Sequence, residues 1–341
     1  MQTGTAPDGR PRYSPAVGGR TSPTIQDFLL TNTSGGDGEV YSVDFTKTWR
    51  TGAGRFDAYL GYGYQNVHDV NPGTSSTASS NWDRLAVADP NNPKLSTSNY
   101  EIEHQIKGQF TWRKAFFGDY ETGIALVGER RSGRPYSFTF GGGTPQSVWG
   151  DPRQAARQHH LFYVPDGDVI FESMCTTADV GPVGGPPVVP GCTSTAIVNP
   201  ARSAQFASDT EAYVQRFGLD KWRGRIVPRN SHTSSWLSVL DLRLSQELPI
   251  WRKARGVLTV DVENLANMID NDWGQLRQVS FEYFTPVVDV ARIATSGCPD
   301  GDASCYVYRP RSGSTGPVAP NESLSALPSV WKIQLGVRIE F

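Results

Sequence analysis

The sequence predicts an all-β fold built from about eight antiparallel strands of a transmembrane β-barrel segment, with short turns and long loops in alternation. Three observations predict it. The first is residues 330–341 (VWKIQLGVRIEF), in which Trp331, Ile333, Leu335, Val337, Ile339 and Phe341 share one parity. Val330, Lys332, Gln334, Gly336, Arg338 and Glu340 share the other. A period of two sends successive side chains to opposite faces of a strand, and about eleven such residues, tilted, match a hydrocarbon layer. The second is the lack of any run of about eighteen apolar residues, with a mean hydropathy of -0.41. That excludes helical spans but not a barrel, half of whose strand residues are polar. The third is the order of the connections. Those near 51–54, 116–119 and 249–255 are short, and those at 69–99, 141–235 and 269–329 are long. A transmembrane barrel keeps its short turns on one side and its long loops on the other; a soluble sandwich has no reason to.

Along the chain, residues 1–23 are rich in Gly and Pro and read as a loop or flexible lead-in, and 24–341 as the partial barrel. Residues 24–33 (TIQDFLLTNT) form a weak first strand. Tyr41, Val43, Phe45 and Trp49 then alternate with Ser42, Asp44, Thr46 and Thr48. Phe56, Ala58, Leu60, Tyr62 and Tyr64 oppose Arg55, Asp57, Gly61, Gly63 and Gln65. After the first long loop, Ile102, Ile106, Phe110 and Trp112 oppose Glu101, Glu103, Gln105, Lys107, Gln109 and Arg113, with His104 at the rim of the apolar side. A strand from Tyr120 is expected to extend through 132–140 (SGRPYSFTF). Trp236, Leu240, Leu242 and Leu244 alternate with Asp241, Arg243 and Ser245, and Leu258, Val260 and Val262 with Thr259, Asp261 and Glu263. Asn264 falls on the apolar parity, so the strand should leave the lipid there. The apolar stretch 279–293 reads as a hairpin standing above the membrane.

The composition narrows the function classes. A net charge of -2 carries no signal for nucleic acid or an anionic surface. Nine Trp and thirteen Tyr suit interfacial girdles, and Trp49, Trp112, Trp236, Trp251 and Trp331 sit near strand ends. Residues 1–20 contain no apolar secretory core, so the membrane reading expects this chain to be the C-terminal part of a longer protein.

An alternating strand that closes on Phe341 resembles the C-terminal assembly signal of bacterial outer-membrane barrels. At 264–274 (NLANMIDNDWG) the resemblance sharpens: with Asn264, Asn267, Asp272, Trp273 and Gly274 the stretch is similar to the barrel region of TonB-dependent outer-membrane receptors, closest to the Oar-like group. Residues 28–36 (FLLTNTSGG) and 132–138 (SGRPYSF) support it. The resemblance implies a barrel of about twenty-two strands, plugged by an N-terminal domain and driven by the inner-membrane TonB energy-coupling complex. It also implies location in the bacterial cell outer membrane, outer-membrane lipid as a partner, and long outer loops that capture a substrate whose nature the sequence does not reveal. The plug and most barrel strands are missing from this chain, so the transport function belongs to the parent protein. The rival readings are a free-standing small barrel serving as an anchor or adhesin, and an outer-membrane hydrolase with a rim site.

On the barrel reading, Glu101, Glu103, Lys107, Arg113, Asp241, Arg243, Asp261, Glu263, Lys332, Arg338 and Glu340 face a wet lumen; on the plainer one they only pair inside the wall. Cys175 with Cys192 and Cys298 with Cys305 are expected to form disulfides within their loops, as an oxidising compartment permits. Closely spaced thiolates or histidine partners for a metal are lacking. His159, His160 and His232, and the acidic turns at 166–168 and 300–302, read as solvated loop residues. No nucleophile elbow, HExxH or paired-carboxylate spacing occurs, so neither an enzyme nor a cofactor is expected.

Overall fold

Seven long strands form one antiparallel ladder in the computed structural model, which describes residues 2–14, 28–182, 185–251 and 254–340. They are β1 (Asp37–Thr51), β2 (Gly54–Asp69), β3 (His104–Phe117), β4 (Tyr120–Arg131), β5 (Leu237–Trp251), β6 (Ala254–Glu263) and β7 (Lys332–Glu340). Each pairs with its neighbour in the chain, and a two-residue strand, Ser96–Thr97, adds to β2. Among the described residues β1 and β7 are the two ends of the ladder and do not pair with each other. Register follows the two-residue period: Leu242 lies opposite both Leu126 and Val262, and Val262 opposite Ile333. One residue away, Arg243 lies opposite Asp261, and Asp261 opposite Gln334. A slip of one residue would exchange the faces completely.

Hairpin turns join β1 to β2 and β3 to β4, and residues 252–253 connect β5 to β6. Residues 70–103, 132–236 and 264–331 make the other three connections. Since ladder order is chain order, all three long connections leave the same end of the sheet. They fold together there as a cap. Its core holds Phe138, Phe140, Trp149, Phe162, Phe206, Tyr306 and Tyr308, each almost wholly shielded from water. Helix α1 (Pro200–Arg216) contributes Phe206, Thr210, Tyr213 and Val214, positions i, i+4, i+7 and i+8 of one stripe. Asn199 caps it, its side chain accepting hydrogen bonds from the Ala201 and Arg202 amides. The first long connection joins through Leu85, Ala86 and Val87; the Val87 amide donates to the His159 carbonyl and the Val87 carbonyl accepts from the Leu161 amide.

Among the described residues the apolar face of the ladder has no such cover. Leu335 and Val337 are 75% and 73% exposed, whereas Phe138 and Phe162 in the cap are fully buried. No helix among the described residues is long and apolar enough to cross a membrane.

Several expectations are corrected. Residues 24–27 lie outside the described residues and 28–33 form no strand, so the ladder has seven long strands among the described residues. Phe341 and the side chain of Trp251 also lie outside them. Residues 2–14 are no loose lead-in: Gln2–Thr5 and Pro11–Tyr13 pair as a hairpin. Between these strands, buried Arg10 pairs with Asp8 at 2.7 Å, donates to the Leu161 carbonyl at 2.8 Å and lies over the Trp149 ring. The strand from Tyr120 stops at Arg131, and Pro135–Thr139 belongs to a separate sheet with His232–Thr233 and Phe284–Pro286. The stretch 279–293 is not one hairpin. Arg277–Val279 pairs with Glu322–Leu324, Phe284–Pro286 runs parallel to Pro135–Thr139, and Asp289–Ala294 pairs with Cys305–Arg309. Glu172 braces that last pair by bonding both Arg292 and Arg309, and these bonds hold its carboxyl down at about 2.

Phe140 touches Trp149, Phe162, Tyr306 and Tyr308. Phe140→Ala should therefore destabilise the cap by about 3–5 kcal/mol. A urea titration followed by near-ultraviolet circular dichroism measures the loss.

Candidate functional site

A groove of about 460 Å³ runs along the polar face and is lined from β3 through β7. The hollow spans five neighbouring strands on that one face. Gly123 and Gly336 open it: a Cβ on either would lie 2.5 Å from the Ser245 or Thr259 hydroxyl. Arg113, Arg243 and Arg338 are matched by Glu121, Glu247 and Asp261, so the lining offers donors and acceptors with little net field. Arg243 pairs with Asp261 at 2.8 Å, Arg255 with Glu247 at 3.2 Å, and Arg338 with Glu340. Such a wall solvates polar solutes without gripping one charge.

Nine of the eleven lumen-facing residues named from the sequence lie on this polar parity. Arg113, Arg243, Asp261 and Arg338 line the groove. Lys107 stands opposite Glu129, and Lys332 pairs with Glu263 at 3.4 Å. Asp241 is committed to the fold, its carboxylate accepting from the Asn264 amide at 2.7 Å. Glu101 and Glu103 are corrected: both precede β3 and are outside the ladder. Glu101 is buried, its carboxyl pushed up by that burial while it accepts from the Val67 amide at 2.6 Å.

The 264–274 motif closes the end of β6. Asn264 adopts a left-handed conformation (φ 53°), and its amide donates to the Gly274 and Ser329 carbonyls. Asn267 donates to the Asn271 and Trp273 carbonyls, both at 2.9 Å. Gly274, at φ 62°, has no room for a Cβ, which would lie 1.9 Å from Asn264 Oδ1. Asp272 and Trp273 are exposed. The motif is thus a knot of amide bonds where a strand enters the cap.

The structure pairs Cys175 with Cys192 and Cys298 with Cys305, with Cα separations of 5.5 and 5.6 Å. It also overturns the solvated reading of the histidines. His159 and His160 are buried against Asp151, whose Oδ2 accepts from both Nε2 groups. His159 Nδ1 meets the Asp83 carbonyl at 3.1 Å, and His160 stacks on Trp149. Half-buried His232 donates from Nε2 to the Phe217 carbonyl at 2.7 Å. The Asp151, His159 and His160 ligand atoms lie within 4.8 Å of one another, a spacing that invites a metal. The hydrogen bonds of His160 argue against one at that residue, whereas His159 faces the Asp83 carbonyl through Nδ1 and Asp151 through Nε2. Arg10 donates toward His160 Nδ1, which leaves the His160 proton on Nε2, aimed at Asp151. Burial pushes His160 down to about 4; the two imidazole N–H bonds override burial at Asp151 and hold its carboxyl far below the carboxylate range. Arg10 and Asp151 were absent from the sequence reading because their partners lie far along the chain.

Comparison of the chain with protein-family models, with curated proteins and with solved structures gives no match.

Two outcomes follow from this geometry. The unfolded chain takes up the His160 proton below about pH 6.5 and the folded cap does not, so stability should fall as pH drops from 6.5 toward 4. His160→Gln should flatten that slope in thermal melts recorded across the interval. Gly274→Ala should destabilise the cap junction by about 1–3 kcal/mol, visible as faster amide exchange at residues 264–274.

Proposed function

We propose that this chain is an arc of a bacterial outer-membrane β-barrel, the C-terminal barrel portion of a TonB-dependent receptor of the Oar-like kind. Its polar face lines the passage, and its cap of outer connections captures the substrate. The observation that carries this reading is a seven-stranded ladder whose apolar face is uncovered among the described residues and whose polar face holds a groove across five strands. Outer-membrane lipid is the partner that suits the first, water and a plug domain the second. The outer edges of β1 and β7, unpaired among the described residues, suit further strands of the parent protein, because open edges are not tolerated in lipid.

Aromatic side chains support the assignment. Trp49 stacks on Phe56 and Trp112 contacts Phe116 near the short turns. Tyr62, Tyr64 and Trp236 gather around His104 near the cap. From Phe56 to Tyr64 is about 27 Å along a strand, close to the apolar band of a barrel, about 25 Å. The family part rests on the 264–274 motif, and with it the energy-coupling complex as the partner that drives transport. A free-standing small barrel would need β1 to meet β7, which the order of the ladder disfavours.

Paired substitutions test the membrane reading. Leu335→Arg on the apolar face should cost about 2–4 kcal/mol of folding into lipid vesicles. Gln334→Arg on the polar face should cost little. Equal effects, measured by urea titration of the vesicle-folded protein, would refute it.

A further inference from the structure

A second cavity, of about 310 Å³, lies within the cap. Its size is at the low end for small-molecule sites. One wall is the end of the short helix Gln154–Arg157 with Gln158; the other is 279–286, with Arg311 and 318–321 closing it. We infer that this cavity binds a small organic acid, its carboxylate held by Arg157 and Arg311 and its apolar body resting against Phe281, Phe284 and Val279. This deepens the receptor reading by naming the class of substrate its cap would capture.

Charge is the first argument. Four guanidinium groups gather here, Arg84, Arg153, Arg157 and Arg311, against three acidic side chains, Asp83, Glu282 and Asp289. Arg157 bonds Asp83 and Glu282, each at 3.3 Å, Arg84 reaches Glu282 at 3.1 Å, and Arg153 lies 4.0 Å from Asp83. Asp289 and Arg311 both flank Gly141, and Asp289 also accepts from the Gly143 amide. Of these, Arg157, Arg311 and Glu282 line the cavity, two cations against one carboxylate.

Positioning is the second. Arg311 donates to the Pro286 carbonyl and to Gln158 Oε1, both at 3.2 Å, so its planar fork is held before any ligand arrives. Arg157 is held likewise by its two carboxylates. The third argument is the wall itself. Thr285 lines it and is 3% exposed. Beside it Tyr283 is held at φ 64°, strain of a kind that gathers at ligand clamps. Phe281, 52% exposed, offers an aromatic face at the cavity wall.

The test is calorimetric titration of the full chain in detergent micelles with benzoate and hexanoate, each against its neutral amide. Each acid should bind at least ten-fold more tightly than its amide. Arg157→Gln and Arg311→Gln should each lower acid affinity ten-fold or more and leave the amides unaffected, and Arg311→Lys should keep the preference for acid. Equal binding of acid and amide, or no binding, by a chain with native circular dichroism would overturn the inference; this comparison needs no variant to fold. Vesicle folding without acid preference would remove this site and leave the barrel. Acid preference in a chain that fails the vesicle test would do the reverse.

Discussion

A sheet one layer thick cannot rest in water with one apolar face bare. Burying a Val, Leu, Ile or Phe side chain stabilises by about 1.5–3 kcal/mol, and Val43, Phe45, Leu60, Phe110, Leu258, Leu335 and Val337 all stand exposed on the same side of the ladder. Nothing else in the described chain covers them. The remaining features follow from that demand for an apolar surrounding. The opposite face must carry the charges, the chain must turn sharply at one end, and everything bulky must collect at the other.

The chain thus contains two kinds of order. The ladder is held by backbone hydrogen bonds and cross-strand pairs, and it contributes little to the buried core. The cap is organised as a water-soluble domain is, around aromatic side chains drawn from residues 136 to 308, with two disulfides and the Asp151–His159–His160 cluster inside it. Ion pairs are divided in the same way. Those on the polar face are exposed and neutralise one another, while Arg10 and Glu172 fasten segments of the cap.

The ladder was legible in the sequence because its rule is local. Leu335 and Arg338 declare their faces by position alone, and Thr51, Phe117 and Trp251 end strands where the alternation breaks. The cap was not legible, because its pairs are remote. Arg10 meets Leu161, and Ser137 meets Asn230. Residues 135–139 alternate like a continuation of β4, yet Gly133 and Pro135 were the signs of a break. A Cβ at 133 would lie 2.1 Å from the Ser234 carbonyl oxygen, and Pro135 has no amide to donate. The run 279–293 mixes apolar residues with Glu282, Asp289 and Arg292 in no regular period, so nothing showed that its pieces pair with three different segments. The polar residues of β3 to β7 were read by parity, whereas Glu101 and Glu103 carried that parity past the point where the strand begins.

One consequence reaches beyond the static picture. Tyr306, from the last connection, donates its hydroxyl to Asp8 in the N-terminal hairpin and accepts from the Trp149 indole in the middle one; Asp83, from the first, receives His159. Four stretches of chain are therefore keyed into one block. Displacing any one of these stretches breaks a hydrogen bond to another.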